Sequence, residues 1–575
     1  MAVENAEVAR LLREVADLLE LQGANPFRVR AYQTAARTVE ELPRPVAELL
    51  EEGRQLTDLP GIGEDLAGKI EEIARTGRLA AHRELTRAVP KGLTDIMRLR
   101  GLGPKRARAL YDALKIHSLA QLERSARAGR IRELPGFGAK TEANILHELE
   151  GRGAVERRFL RPVAAQYGEA LLAYLRGVPG VKRAEIAGSY RRCKETVGDL
   201  DILVTCGAGT PAVKRFTEYP EVAEVLARGP TKASVRLRSA LQVDLRVLDE
   251  ASYGAGLYYF TGSKAHNIAV RRLGQQRGLK INEYGVFRGK KRIGGRDEAE
   301  VAAAVGLPLI PPELREDRGE IEAAAAGALP RLVELADIRG DLQLHTTDSD
   351  GRDSLQAMAG GAAELGYEYI AVTDHTPAVR VAGGLDRAGF RRQMKRVDRL
   401  NASLRGLTVL RGAEVDILDD GRLDLDDATL EALDFVVVSV HSKFDLPERE
   451  QTRRVVRALQ HPSVDLLGHP TARLIGRRSA IKLDLDQVCR AAADAGVILE
   501  VNGQPERLDL DEIACRTVLE HGLPIAISTD AHAVAELGFM RWGVDQARRG
   551  WASKADVVNT LPLAKLVKRL HGARG

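Results

Sequence analysis

Asp199 and Asp201 lie in the run Gly188-Ser189-Tyr190-Arg191-Arg192-Cys193-Lys194-Glu195-Thr196-Val197-Gly198-Asp199-Leu200-Asp201. Along a strand, side chains alternate faces, so these two carboxylates project to one side while Leu200 and Ile202 face a core. Paired carboxylates on one face suit hard divalent cations. The Gly-Ser turn ahead of them can offer backbone N–H groups to a phosphate. Residues 234–248 read as a hairpin of two alternating strands with Asp244 in the second. A third carboxylate there completes a two-metal site, in which one ion activates an attacking hydroxyl and the other stabilises the leaving oxygens. The expected assignment is Asp199 and Asp201 to both metals, with Asp244 at the attacking 3′-hydroxyl, where it can take the proton. That equipment serves nucleotidyl transfer.

The elements that position this site follow from length and texture. A chain of 575 residues is too long for one core, and roughly three to five domains are expected. Hydrophobic content of 44% and charged content of 29% are those of an ordinary folded protein. No apolar run of membrane-spanning length and no signal-type N-terminus is found. The four cysteines show neither metal-type spacing nor a disulfide framework, which suits a reducing cytoplasm. The charge of +5 divides into about +9 over residues 1–330 and −4 over 331–575. The basic part suits a phosphate-backbone partner and the acidic part suits metal ligands.

One pattern occurs three times: Leu-Pro-Gly61-Ile-Gly63, Leu-Arg-Gly101-Leu-Gly103-Pro-Lys105 and Leu-Pro-Gly136-Phe-Gly138. Each reads as a tight turn between two helices. The second helix then begins with free N–H groups and the positive end of its dipole. Such a hairpin grips a backbone phosphate without reading sequence.

Beyond residues 308–312 and an alanine-rich stretch read as a helix over 320–336, the texture changes to a β/α series. Strands are expected at 341–346, 369–375, 408–417, 435–441, 464–470, 497–503 and 524–532. In barrel form such a series places its chemistry at the strand C-terminal ends. His345, Asp350, His375, Glu414, His441, His469, Asp530 and His532 fall there, accounting for five of the twelve histidines. Mixed imidazole and carboxylate ligation suits Mn²⁺, Zn²⁺ or Fe²⁺.

The chain resembles the bacterial and archaeal family X DNA polymerases, which are similar to DNA polymerase beta and carry a C-terminal polymerase-and-histidinol-phosphatase (PHP) domain. The resemblance runs through the Gly-Ser to Asp-x-Asp spacing, through Tyr259-Phe260-Thr261-Gly262-Ser263 with Asn267 and Arg271, and through the strand-end histidines. It implies that Gly188, Ser189, Arg192 and Gly198 contact the triphosphate of a dNTP. Tyr259, Phe260 and Gly262 would pack on its sugar and exclude a 2′-hydroxyl. Lys264 would lie near the base, and Asn267 and Arg271 near the minor groove of the nascent pair. It further implies an N-terminal domain for the 5′-phosphate of a gap, with Arg28 and Tyr32 at the pocket and Lys69 where relatives form a Schiff base with an abasic sugar. For the barrel it implies up to three ions: one at His345, Glu414 and Asp530, one at Glu414, His441 and His469, and one at Asp350, His375 and His532. Phosphoester hydrolysis, such as 3′→5′ trimming, is the implied activity there.

Departures from the family pattern are Val197, Lys264 and Gln242 around the polymerase site, Phe27 and Asp65 near Lys69, and Gln343 where a His-x-His motif usually opens the barrel. A glutamine offers a neutral oxygen in place of an imidazole, so weaker occupancy of the first metal position is expected.

The expected organisation is multidomain. A helical 5′-phosphate-binding domain (1–82) precedes a helical DNA-gripping domain (83–153), an α/β palm (154–258) and a nucleotide-selecting thumb-like subdomain (259–318). A linker helix (319–337) then leads to a distorted (β/α)7-type barrel (338–575). The expected function is gap-filling repair synthesis with Mg²⁺ or Mn²⁺, on gapped or nicked DNA, by a cytoplasmic, nucleoid-associated monomer. Two alternatives stand beside it. One is a polymerase whose barrel is a structural platform; the other is a template-independent nucleotidyltransferase. The three hairpins, Tyr259-Phe260 and Asn267 speak against the latter.

Overall fold

The computed structural model describes residues 5–573 other than 41, 43–45, 52–53, 88–90, 98, 100–101, 152–157, 208 and 380–381. Gly101 lies outside the described residues.

The N-terminal part is helical, and the described hairpin glycines sit at helix junctions. Gly63 and Gly103 are the N-caps of helices Glu64–Thr76 and Pro104–Leu114, neither with a side-chain cap. The first-turn N–H groups of both helices therefore stay free for an acceptor. Gly61 has φ +73°, and a Cβ there would meet Thr34 Cγ2 at 2.6 Å, so a side chain is barred twice over. Gly136 has φ +81° and Gly138 directly precedes helix Ala139–Gly151. Glu142, 1% exposed, braces this third hairpin by accepting from the N–H groups of Ile131 (2.9 Å) and Arg132 (3.0 Å).

The central domain is a five-stranded mixed sheet. Its strands in chain order are β1 (Val181–Ile186), β2 (Asp199–Cys206), β3 (Val222–Arg228), β4 (Lys232–Leu237) and β5 (Gln242–Leu248), arranged 1-2-5-4-3. β2 alternates as read: Leu200 and Ile202 are fully buried among Leu171, Val243 and Leu245, while Asp199 and Asp201 point to the open side. β2 and β5 run parallel, with Asp199 opposite Gln242 and Asp201 opposite Asp244. A smaller subdomain follows, with helices Tyr253–Thr261 and Lys264–Gln276 and a three-stranded sheet of β6 (Lys280–Asn282), β7 (Gly285–Arg288) and β8 (Lys291–Gly294).

The alanine-rich stretch is helical only over Glu320–Ala325, which corrects the expected linker helix. Gly327 takes φ +69° and Pro330 follows, so the chain turns out of the helix despite its alanines. Leu332 then bridges Ser553, and a single 3₁₀ turn at Leu335–Asp337 leads into the barrel.

The barrel has seven parallel strands in sequential order: β9 (Gly340–Leu344), β10 (Tyr369–Val372), β11 (Thr408–Asp416), β12 (Phe435–Ser439), β13 (Leu466–Leu467), β14 (Ile498–Asn502) and β15 (Ile525–Ser528). The ring nearly closes where Asp530 N–H donates to Gln343 O (3.0 Å) and His345 N–H to Ala531 O (2.8 Å). Most of these strands are buried throughout, as expected where helices cover a parallel sheet. Those helices start at side-chain caps: Ser354, Asp386, Asp484 and Asp511 each accept from a first-turn N–H.

Candidate active sites

In the central domain β2 and β5 bring Asp199, Asp201 and Asp244 together. Burial, then the charges of Asp199 and Asp244, push the Asp201 carboxyl up to about 7, although Arg246 and Arg192 oppose this. A carboxylate that resists ionisation because two others face it is relieved by a cation. The donor set is all oxygen, so it fits a hard dication such as Mg²⁺ or Mn²⁺. Ser234 Oγ donates to one oxygen of Asp244 and Gln242 Nε2 to the other at 3.1 Å, which fixes that carboxylate's plane.

Gly188 has φ +63°, and a Cβ there would lie 2.8 Å from Asp201 Oδ2. The glycine thus lets the short helix Gly188–Arg191 approach the carboxylates. Arg192 does not extend freely from this turn. Its Nε donates to Glu316 at 3.0 Å, its Nη1 to Thr261 O, and the side chain is 12% exposed. Tyr259 and Phe260 meet edge to face at 5.2 Å, Arg246 stacks over Phe260 at 4.4 Å, and Asn267 Nδ2 donates to Tyr259 O at 2.7 Å. Asn267 therefore braces the Tyr-Phe segment. Lys264 and Arg271 are exposed on the following helix, and Ser189 and Gly198 flank the carboxylate face half-buried.

At the barrel mouth, Glu414 is 1% exposed and lies within 3.4 Å of His345, 3.3 Å of His375, 3.3 Å of His441 and 2.9 Å of His469. Three groups of donor atoms are close enough to share an ion: His345, Asp350, His375 and His532; His375, Glu414 and His441; His345, Glu414 and Asp530. The structure thus gathers the eight strand-end residues into one cluster centred on Glu414. His375 stands between two groups, and His469 reaches the cluster through Glu414.

Both ring nitrogens of His345, Nδ1 of His375 and of His469, and Oε2 of Glu414 are buried without a hydrogen-bond partner. Buried polar atoms left unpaired cost free energy, so this donor set fits metal ions. Burial opposes charge on His441, but Glu414 and Asp416 outweigh it and hold the imidazole up to about 9. Likewise burial opposes charge on His532, but Asp350 and Asp530 raise it to about 10. Ion binding at these positions therefore displaces protons. His375 is lowered to about 4, by burial above all.

The chain matches the DNA polymerase beta palm over residues 163–265 and the DNA polymerase beta thumb over 256–316. It also matches a helix-hairpin-helix domain over 3–79, a SAM-like helix-hairpin-helix tandem over 93–150 and the PHP domain over 341–504. It is 37% identical over 562 residues to the DNA polymerase/3′-5′ exonuclease PolX of Bacillus subtilis, covering 97% of each chain. This chain belongs to the family X DNA polymerases that carry a PHP domain. It is also 32% identical over 208 residues to a probable phosphatase of Acetivibrio thermocellus, across 34% of this chain and 81% of that one. Among the described residues of the polymerase, no helix is long and apolar enough to cross a membrane.

Several supporting residues of this polymerase escaped the sequence reading. Asp416 takes the His441 N–H at 3.2 Å; its place two residues beyond Glu414 on β11, hence on the same face, was the available signal. Glu500 accepts from His469 N–H at 2.6 Å, and Asn502 Nδ2 links it to Asp530 at 3.1 Å to each, again an i, i+2 pair on one strand.

In the N-terminal domain Lys69 Nζ pairs with Asp65 and lies 5.7 Å over the Tyr32 ring, while Arg28 and Tyr32 line a neighbouring cleft of about 490 Å³. Burial opposes the Lys69 charge, but Asp65 and Tyr32 outweigh it and hold the amine above its ordinary value. That is the opposite of what an amine nucleophile needs.

Proposed function

We propose that this polymerase fills short gaps in DNA by template-directed dNTP addition and trims 3′ ends by phosphodiester hydrolysis at the PHP barrel. The observation that carries the reading is the placement of Asp201 opposite Asp244 on parallel strands, with Asp199 beside them at the mouth of the Gly188 turn. Two divalent ions bound there supply Lewis acidity toward the attacking and leaving oxygens. Asp199 and Asp201 would hold both positions. Asp244, oriented by Ser234 and Gln242, faces the primer 3′-hydroxyl and receives its proton. The N–H groups of the Gly188–Ser189 turn and Arg192 cradle the triphosphate. Tyr259 and Phe260, braced by Asn267, sit where a 2′-hydroxyl would clash. The hairpins at Gly61, Gly103 and Gly136 hold the duplex backbone on either side of the gap.

A one-nucleotide gapped duplex offered dNTPs and rNTPs in parallel tests the reading. Template-matched deoxyribonucleotide addition is expected, with ribonucleotides at least about tenfold slower. Untemplated addition, or indifference to the sugar, would favour the template-independent alternative.

At the barrel, metal ions fit the orphaned donors and supply Lewis acidity toward a phosphodiester. His345, Glu414 and Asp530 would hold one position, Glu414 and His441 with His469 or His375 a second, and Asp350, His375 and His532 a third. Gln343 is fully buried, and neither polar atom of its side chain has a partner. Standing where relatives carry the first histidine of His-x-His, it would offer a neutral oxygen to the first position. Gln343→His is expected to tighten the most weakly bound Mn²⁺ about tenfold, measured by calorimetric titration of the metal-free protein.

Lys69 binds the 5′-phosphate rather than acting as a lyase nucleophile, because Asp65 keeps its amine protonated. Lys69→Ala is expected to weaken binding to a 5′-phosphorylated gap about threefold to tenfold in a fluorescence titration. Borohydride is expected to trap little or no Lys69 adduct on a 5′-abasic end at pH 7. Strong trapping in the wild type that disappears in Lys69→Ala would contradict this.

A further inference from the structure

The triphosphate-facing loop of the palm is built against the PHP barrel. Helix Met540–Arg549 ends on this loop: Arg549 Nη1 donates to the backbone O of Arg192 at 2.5 Å and lies 3.3 Å from Glu316 Oε1, while its Nη2 meets Glu512 at 3.0 Å. Glu316 is the carboxylate that holds Arg192 Nε, at 3.0 Å, and Lys194 Nζ lies 3.8 Å from the same oxygen. The Arg549 side chain is 1% exposed and that of Glu316 12%. Nearby, Arg473 pairs with Glu195 at 2.6 Å. Arg161 pairs with Asp545 at 2.5 Å and stacks on Tyr190 of the loop at 5.2 Å and on Trp542 of the barrel at 5.0 Å.

We propose that Arg549 of the PHP barrel is a positioning residue for nucleotide binding in the palm: it fixes the peptide of Arg192 and shares the Glu316 that fixes its guanidinium. The inference rests on the reading of Arg192 as a triphosphate contact. Arg192 is held at both ends. Thr261 O and Glu316 take Nη1 and Nε, and Arg549 takes the backbone carbonyl. Holding a long cationic side chain in its bound geometry removes an ordering cost from ligand binding. The barrel thereby contributes to dNTP affinity without touching the nucleotide. Lysine at 549 could reach Glu316 but could not also span the carbonyl and Glu512, since it lacks the planar fork of arginine.

The test is steady-state gap filling by the full-length protein at saturating DNA, with KM for dNTP and kcat measured separately. Arg549→Ala is expected to raise KM about tenfold with kcat within about twofold, and Arg549→Lys to restore part of the loss. Arg192→Ala is expected to raise KM as well. The double variant should be no worse than Arg192→Ala, because residues acting through one contact are not additive.

Arg548→Ala is the folding control. Arg548, on the same helix as Arg549, pairs with Glu313 of the thumb at 2.8 Å and has no recorded bond to Glu316 or Arg192. Its KM should stay at the wild-type value. An unchanged KM in Arg549→Ala beside a raised one in Arg192→Ala would overturn the proposal. So would multiplying effects in the double variant, or an equal rise in Arg548→Ala. An unchanged KM in Arg192→Ala would overturn instead the reading of Arg192 on which the proposal rests.

Discussion

Asp201→Asn is expected to lower primer extension by about 10³-fold or more, while 3′ trimming proceeds at the wild-type rate. Asp201 is the member of the trio flanked by both others, opposite Asp244 and two residues from Asp199 on the same face. Replacing it with a neutral amide removes a charged ligand shared by both metal positions, and a loss of about 4 kcal/mol of transition-state stabilisation corresponds to that factor.

The same substitution should act oppositely on stability. The folded Asp201 carboxyl titrates at about 7, above its unfolded value, through burial and the charges of Asp199 and Asp244. Its contribution to stability is therefore fully present below the unfolded pKa and is lost as the pH rises through about 7. In EDTA at pH 8, Asp201→Asn should melt above the wild type, and the difference should vanish near pH 4. A variant both inactive and less stable at pH 8 would mean that Asp201 is a structural residue.

The second large effect belongs to Glu414. Glu414→Gln is expected to release at least one metal ion per chain and to slow 3′ trimming by about 10³-fold, leaving extension intact. Glu414 is buried, and burial opposes its ionisation, but His375 and His441 hold its carboxyl well below the usual range. It is the anion at the centre of four imidazoles. An amide there removes the counter-charge of His345 and His441 and the donor common to two of the groups of atoms close enough to share an ion. Elemental analysis of the purified variant reads the metal loss directly, independently of activity. Because the proposed trimming and extension sites have separate donor sets, the responses of the two activities to Asp201→Asn and Glu414→Gln should be mirror images.

Much of this was legible in the chain because the chemistry is local in sequence. Asp199 and Asp201 share a face by strand alternation, and Leu200 and Ile202 fill the core behind them. The barrel declared itself by seven apolar runs, six of them ending in candidate histidines or acids, and those ends do meet around Glu414. The opposing effect of Asp65 on Lys69 was readable too, as an i, i+4 pair on one helix.

What sequence could not supply is contact between distant segments. Arg549 meets the Arg192 carbonyl across 357 positions, and Arg473 meets Glu195 across 278. No periodicity encodes such pairs. The length of the helix at 320 was misread for a local reason: a run of alanines favours helix, but Gly327 and Pro330 end it. The hold of Glu316 on Arg192 was equally hidden, since a basic residue after Gly-Ser reads the same whether it is free or clamped.

Two independent chemistries are thus expected in one chain. The most direct measurement follows a primer-labelled, one-nucleotide gapped duplex with Mn²⁺, with and without dNTPs, for the wild type, Asp201→Asn and Glu414→Gln. Extension and shortening are expected in the wild type, shortening alone in Asp201→Asn, and extension alone in Glu414→Gln. Loss of both activities in either variant, or a wild type that extends but never shortens, would contradict it.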